Sequence, residues 1–304
     1  MKQKGIGSKN ITVSDMIYAI CKNLFVTVFT ILCIYPFYYI VIYSISDPVK
    51  VQAGGFMLLP RGINFQLYIE VLRKSEIVPA FLISAARTVL GTVITVFCTS
   101  TLAFLVTRKD FSHRKALYRY CIITMYVGGG LIPWYIFMKA YHLQNSFLLY
   151  IIPGAINAYH MILVKTFIEQ LPEALEESAM IEGAGFFDIL LKIVLPLSKP
   201  ILATIAVYNA VGQWNSWQDN YFLVQDNRLK TLQLLLQEYL RNSKALEEMV
   251  KNGIAVDQEM VANVISSKNV QMVTMVVVVT PILLVYPFAQ KYFTKGLMMG
   301  AVKG

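Results

Sequence analysis

Hydrophobic residues in this chain gather into long runs, and polar residues gather between them. Six apolar stretches predict helices at about 22–44, 79–106, 118–138, 146–166, 201–223 and 270–291. About 20 residues of helix cross a bilayer core, and these stretches reach that length. Pro36 lies inside the first, and Gly128-Gly129-Gly130 with Pro133 interrupt the third. Such breaks are tolerated in spans because neighbouring helices satisfy the freed backbone groups. The pattern predicts an all-α integral membrane protein: an N-terminal segment 1–21, a membrane domain 22–291 and a tail 292–304.

Charge then sets the orientation. The loop between spans two and three carries Arg108, Lys109, Arg114, Lys115 and Arg119 against Asp110, whereas the loop between three and four holds only Lys139. Basic loops stay cytoplasmic. Both termini are therefore expected inside, in agreement with Lys2, Lys4, Lys9 and Lys22 at one end and Lys291, Lys295 and Lys303 at the other. No small-residue cleavage site follows the first apolar run, so it is expected to be an uncleaved anchor. Two long segments, 45–78 and 225–269, fall outside. In the second, Leu232, Leu235, Leu236, Tyr239 and Leu240 recur at helical spacing, which predicts an amphipathic excursion.

Composition agrees with this picture: 56% of the 304 residues are hydrophobic and 15% charged, too few polar groups to cover a soluble domain of this size. The net charge of +9 is accounted for by the inside-positive loops and implies no nucleic acid. Cys21, Cys33, Cys98 and Cys121 are scattered without a CxxC pair, and His113, His142 and His160 stand apart, so no metal set or disulfide is expected. No phosphate-cradling glycine loop is present either. An energised process would need an ATPase on another chain.

The segment 171–200, LPEALEESAMIEGAGFFDILLKIVLPLSKP, reads as two short helices joined at Gly183. Proline suits the first turn, and Glu173, Glu176 and Glu177 complement the helix dipole. The second helix places Phe186, Ile189, Leu190 and Ile193 on one face, and Pro196 and Pro200 close it. Glu169, Glu173, Glu176, Glu177 and Glu182 crowd fourteen residues of a face where bases are the rule. An interfacial helix under the headgroups is one reading, but anionic lipid repels acids. A basic protein partner explains them better.

These residues also carry a resemblance. Glu177-Ser178-Ala179, three residues, Gly183, nine residues, then Ile193-x-Leu195-Pro196 resembles the EAA motif of ATP-binding-cassette (ABC) importer permeases. Glu182-Gly183-Ala184 stands where D-G-A is usual, and Ser178 where alanine is usual. Gly129-Gly130-Leu131-Ile132-Pro133, Arg87-Thr88, Trp214-Asn215 and the tail Gly296…Gly300-Ala301-Val302-Lys303-Gly304 are similar to a narrower group. That group is the maltose-permease-like carbohydrate permeases of lipoprotein-dependent Gram-positive importers.

The resemblance implies a type I ABC importer permease fold, in a bacterial cell membrane, with 171–200 as the cytoplasmic coupling helix. Glu177 would meet a base of the ATPase, while Ala179 and Gly183 would allow close approach. Lys295 and Lys303 in the tail would contact the ATPase dimer, or else lie against lipid. The implied partners are an ABC ATPase dimer holding ATP and Mg, a second homologous permease and an extracellular solute-binding lipoprotein. This chain itself would bind no cofactor and catalyse nothing. The external loop 225–269 would reach toward the binding protein.

Span five carries Asn209, Gln213, Trp214, Asn215, Trp217 and Asp219. Polar groups at this depth face a cavity or the bundle interior, so these are candidates for a translocation path. The aromatic residues fit an interfacial belt equally well. Arg87 in span two either snorkels outward or pairs with Asp219; the pair is the favoured reading. A proton- or sodium-coupled transporter would need acids near the midplane, which the spans lack. A membrane enzyme would need a clustered acid, histidine or metal set, and none is visible.

Overall fold

The computed structural model describes residues 13–51, 55–251 and 268–287. Within them the chain is helical, apart from an isolated antiparallel bridge between Ser46 and Ile63. Three helices are long and apolar enough to cross a membrane: α1 (Val13–Ser44), the later Ile77–Thr107 and Lys268–Pro287. A fourth candidate is a bent pair, Phe186–Leu197 with Lys199–Asn215, which meet at 83°.

Between α1 and the second long helix lies α2 (Gln66–Arg73). The second long helix is α3 (Ile77–Thr107), and it forms the hub. Along it, 39% of the apolar window is buried, against 6% for α1. No residue of α1 from 13 to 41 is buried, and the chain packs on that helix mainly at Ile42 and Tyr43, with Val51 and Met57. An apolar flank of this length needs lipid or another protein against it.

The third and fourth expected spans are not continuous helices. The third divides into α4 (Arg114–Tyr126) and α5 (Leu131–Ala140), parted at the glycines, where Gly130 adopts φ +77°. The fourth has a single 3-10 turn at Phe147–Tyr150, then an irregular stretch, then only the eleven residues of α6 (Ala158–Ile168). Pro153-Gly154 in that irregular stretch accounts for the shortened helix: proline removes a donor and glycine favours a turn.

Next come α7 (Glu173–Ile181), α8 (Phe186–Leu197) and α9 (Lys199–Asn215). The expected fifth span ends early, and α10 (Gln218–Leu223) follows a break at Ser216 and Trp217. The amphipathic excursion is present as α11 (Leu232–Lys251), and α12 (Lys268–Pro287) completes the described chain.

Two cores stack along α3. Toward its C-terminal end, Phe104, Met161, Val164, Leu190, Val194 and Ile205 pack together, joining α3, α6, α8 and α9. Toward its N-terminal end, Ile77, Ala80, Trp214, Leu232, Leu235 and Val273 join α3, α9, α11 and α12. The motif segment and the amphipathic helix thus sit at opposite ends of one hub.

Candidate functional site

The turn between α7 and α8 is a Schellman cap. The Gly183 amide donates to the Met180 carbonyl at 3.0 Å, and the Ala184 amide donates to the Ala179 carbonyl at 2.9 Å. This pattern requires a left-handed residue at the third position past the first acceptor, and Gly183 has φ +86°. Ala179 and Ala184, which the cap brings together, both pack on the core. The alanine–glycine spacing of the motif is therefore the spacing of a helix stop. A wider π turn at Leu190–Val194 precedes Pro196, and the Leu195 amide bonds back to the Leu190 carbonyl. Such a turn is one way for a helix to meet a proline that cannot donate. Pro200 then opens α9 past the 83° bend.

The segment has two faces. Ala179, Ala184 and Leu195 pack inward, and Ile193 is half-buried, so Ala179, expected to share with Gly183 the close approach of a partner, turns its side chain to the core instead. Glu177, Ser178, Glu182, Gly183 and Pro196 are exposed, and a β-carbon built at Gly183 meets nothing within 4 Å. The five acids divide as well. Glu169 pairs with Lys165 at 2.6 Å, Glu173 with Lys109 at 2.7 Å and Glu176 with Arg108 at 3.0 Å. Three of the five acids thus have partners inside the chain, so the crowding by itself overstates the charge offered outward. Glu177 and Glu182 make no ion pair among the described residues and remain available.

Arg108 is the strut behind this arrangement. Its guanidinium reaches Asp110 at 3.0 Å and Glu176 at 3.0 Å, and lies 5.6 Å from the Phe104 ring centroid. Its hydrogen bond to Asp110 holds that carboxyl below the usual carboxylate range. The α3–α4 loop, which the sequence used only to set orientation, therefore ties α7 to the hub.

Inside the bundle, α3 presents a stripe at three- and four-residue spacing: Ser84, Arg87, Gly91, Thr95 and Thr99, all buried. Each member meets a broken piece of backbone or a buried polar group. Ser84 accepts from the Leu232 amide at the start of α11 (2.9 Å). Thr95 donates to the Gly154 carbonyl (2.7 Å), and Thr99 accepts from the Asn157 amide (3.2 Å). These bonds satisfy the irregular stretch before α6, which lipid could not. Gly91 gives the Gln213 side chain room: a β-carbon there would lie 2.8 Å from Gln213 Nε2 and force that side chain to shift.

Arg87, only 2% exposed, is the knot of the stripe. Its Nη2 lies 2.6 Å from Asp219 Oδ2, and its Nε and Nη2 each lie 3.2 Å from Gln213 Oε1. Nη1 donates to the Ser216 carbonyl at 3.3 Å, and the guanidinium sits 4.3 Å from the Tyr150 ring centroid. One cation thus fastens the break between α9 and α10 to α3 and to the turn at Phe147–Tyr150. A buried charge with this many partners is satisfied where a lone one would be prohibitive.

No protein-family model matches the chain. Among characterised proteins, it is 33% identical over 281 residues to the polygalacturonan/rhamnogalacturonan transport system permease protein YtcP of Bacillus subtilis (strain 168), an alignment covering 92% of this chain and 96% of that one. It is 31% identical over 294 residues to protein LplC of the same organism, covering 96% and 97%. A solved bacterial ABC transporter involved in import of the acidic polysaccharide alginate contains a chain that superposes with a TM-score of 0.81 at 26% identity, covering 94% of this chain and 100% of that one. The chain belongs to the carbohydrate permeases of ABC importers. It is a multi-pass membrane protein, and its fold is that of an ABC importer permease.

Within this permease the sequence-derived candidates separate. Arg87 and Asp219 meet, and Gln213 joins them rather than facing an open path. Trp214 is 8% exposed, donates from Nε1 to the Val278 carbonyl at 3.0 Å and stands edge-on to Phe81, which places it in the core between α3, α9 and α12. Gln213, Trp214 and Asp219 are thus engaged inside the chain. Asn215 is exposed, with its amide donating to the Val211 carbonyl, and Asn209 is half-buried. Tyr208, Val211, Gly212 and Asn215 form one exposed face of α9. Lys295 and Lys303 lie outside the described residues. The sequence did not single out Thr95 and Thr99, for which the four-residue repeat of 87, 91, 95 and 99 was the available signal, and it gave Arg108 only an orienting role.

Proposed function

We propose that this permease lines half of the membrane path of an importer that takes up an oligosaccharide handed over by an extracellular solute-binding lipoprotein. A second, homologous but non-identical permease supplies the other half. Both termini lie in the cytoplasm, as does the motif segment. An ABC ATPase dimer, holding ATP and Mg on its own chains, seats on α7 and α8. Glu177 and Glu182 meet bases of the ATPase through charge-assisted hydrogen bonds. Ser178 and Gly183 leave room for close approach, and Lys295 and Lys303 add contacts from the tail. The external segment containing α11 faces the binding protein, and the exposed face of α9 with Asn209 and Asn215 faces the path. Gln213, Trp214, Asp219 and Arg87 hold that path's wall in shape.

The observation that carries this reading is the two-faced motif segment. Its inner face is capped, packed and ion-paired to the hub, while its outer face offers two unpaired carboxylates around an open glycine turn. Such a face is rigid enough to transmit a push and open enough to be gripped. Affinity purification through this chain is expected to bring down an ATPase, a second permease and a binding protein. Cells lacking the chain should lose uptake of at least one oligosaccharide. Recovery of the chain without an ATPase, together with unaltered uptake of every saccharide tested, would defeat the proposal.

A further inference from the structure

At the end of the hub remote from the motif segment, Trp217, α10 and α11 border a half-open pocket of about 400 Å³, within the size of small-molecule sites. It is lined chiefly by Trp217, Tyr221, Gln237, Arg241, Lys244 and Glu248. Trp217 and Tyr221 stand four residues apart, with ring centroids 6.0 Å apart and planes at 67°. Tyr221 is 42% exposed, so aromatic surface is offered to a ligand. Arg241 is anchored on that surface: Nη1 donates to the Tyr221 hydroxyl at 2.9 Å, and the guanidinium lies 5.0 Å from the ring centroid. Of its five N–H donors, that bond occupies one.

Three features separate this pocket from an ordinary solvated helix face. First, the platform is pinned. Asp219, between the two aromatic residues, is held by Arg87, and the fully buried Asn220 accepts from the Thr231 amide at 2.8 Å. Second, earlier bases of the same segment are neutralised at short range, Arg228 by Asp226 at 2.9 Å and Lys230 by Glu238 at 3.0 Å. Arg241 and Lys244 carry no carboxylate partner among the described residues, although Glu248 lines the same pocket. Third, the combination is selective. Aromatic faces stack on the C–H faces of a pyranose, Gln237 supplies an amide, and a guanidinium with an ammonium beside it fits a carboxylate.

We infer that this pocket is a saccharide subsite for uronate-bearing oligosaccharides, with the pyranose ring on Trp217 and Tyr221 and its carboxylate on Arg241 and Lys244. The inference rests on the proposed function and narrows its cargo to an acidic sugar. Placed on the external side, beside the segment that faces the binding protein, the pocket takes the acidic oligosaccharide as it is released. Polygalacturonan and alginate, the materials named for two of the similar transporters, are both polyuronates.

The test uses the assembled importer, purified through this chain without its binding protein, with trigalacturonate as the probe and maltotriose as the neutral control. Equilibrium dialysis is expected to show trigalacturonate binding that weakens at least tenfold in Arg241→Gln/Lys244→Gln. Trp217→Leu should weaken it as well, while co-purification of the ATPase is unchanged in both variants. In cells, the double variant should raise the KM for uronate-bearing oligosaccharides and leave any neutral oligosaccharide uptake as in the parent. Equal trigalacturonate binding by parent and double variant would overturn the inference. So would an equal loss of acidic and neutral uptake together with loss of the binding protein, which would make the pocket a protein-docking surface. If the chain were not a saccharide importer's permease at all, the parent complex would instead lack an ATPase or take up no saccharide.

Discussion

Gly183→Leu is expected to abolish transport and to release the ATPase, while the permease still reaches the membrane in normal amount. The substitution has two separable effects. A left-handed conformation costs an L-residue about 1–2 kcal/mol, and φ at Gly183 is +86°. That strain loosens the cap but is small beside the packing of Ile189, Leu190 and Val194 into the hub. Within the chain a side chain at this point meets no obstacle. The leucine therefore projects from the face that the ATPase is proposed to grip. Gly183→Asn is the informative companion, because asparagine tolerates the left-handed region and adds less bulk. It should retain more ATPase than Gly183→Leu, as measured by co-purification and by uptake. If the leucine variant keeps its ATPase and transports normally, the segment is not the docking site. If asparagine and leucine are equally damaging, bulk at the interface is not the cause.

Breaking the Arg87–Asp219 pair from one side should be the most damaging single change inside the bundle. Arg87→Ala leaves the Asp219 carboxylate without its cation and the Gln213 side-chain carbonyl without its donor, and Asp219→Ala strands a guanidinium whose side chain is 3% exposed. Removing one partner of a buried pair costs about 3–5 kcal/mol, whereas replacing both by apolar or neutral groups of similar volume is often close to neutral. Arg87→Met/Asp219→Asn is therefore expected to be better folded than either single truncation. Thermal unfolding of the purified complex in detergent measures the order. Equal destabilisation in all three variants would show that the pair does not act as a unit.

The long helices were legible because hydropathy reports length: α1, α3 and α12 all overlap their expected spans. The fourth span was not, since Phe147–Phe167 is as apolar as a helix would be while Pro153-Gly154 breaks the backbone beneath it. Hydropathy cannot see that Thr95 and Thr99, on a different helix, satisfy the groups set free. The motif segment was legible in spacing before it was legible in geometry. The interval from Ala179 to Gly183 carries the cap bonds, so a sequence rule and a hydrogen-bond rule coincide there.

The polar residues of α9 were harder. Gln213 sits one position from Trp214, and nothing local distinguishes a side chain aimed at a path from one aimed at Arg87, 126 residues earlier. The acids of 169–182 posed the same difficulty. Glu169 pairs with Lys165 one turn away, but the partners of Glu176 and Glu173, Arg108 and Lys109, come from a loop more than sixty residues away, so composition alone counted five carboxylates where two lack an ion pair among the described residues.

The outer face of α7 and its glycine turn is the proposed place where an ATPase drives this permease. A photo-crosslinking residue placed at Glu177 or Glu182 in the assembled importer tests it most directly, with Tyr141, exposed just past the end of α5, as the control position. Illumination should join both motif positions to the ATPase and leave the control without an ATPase adduct. Adducts with the ATPase at Tyr141, or their absence at both 177 and 182 in a complex that still contains the ATPase, would place the docking site elsewhere on the permease.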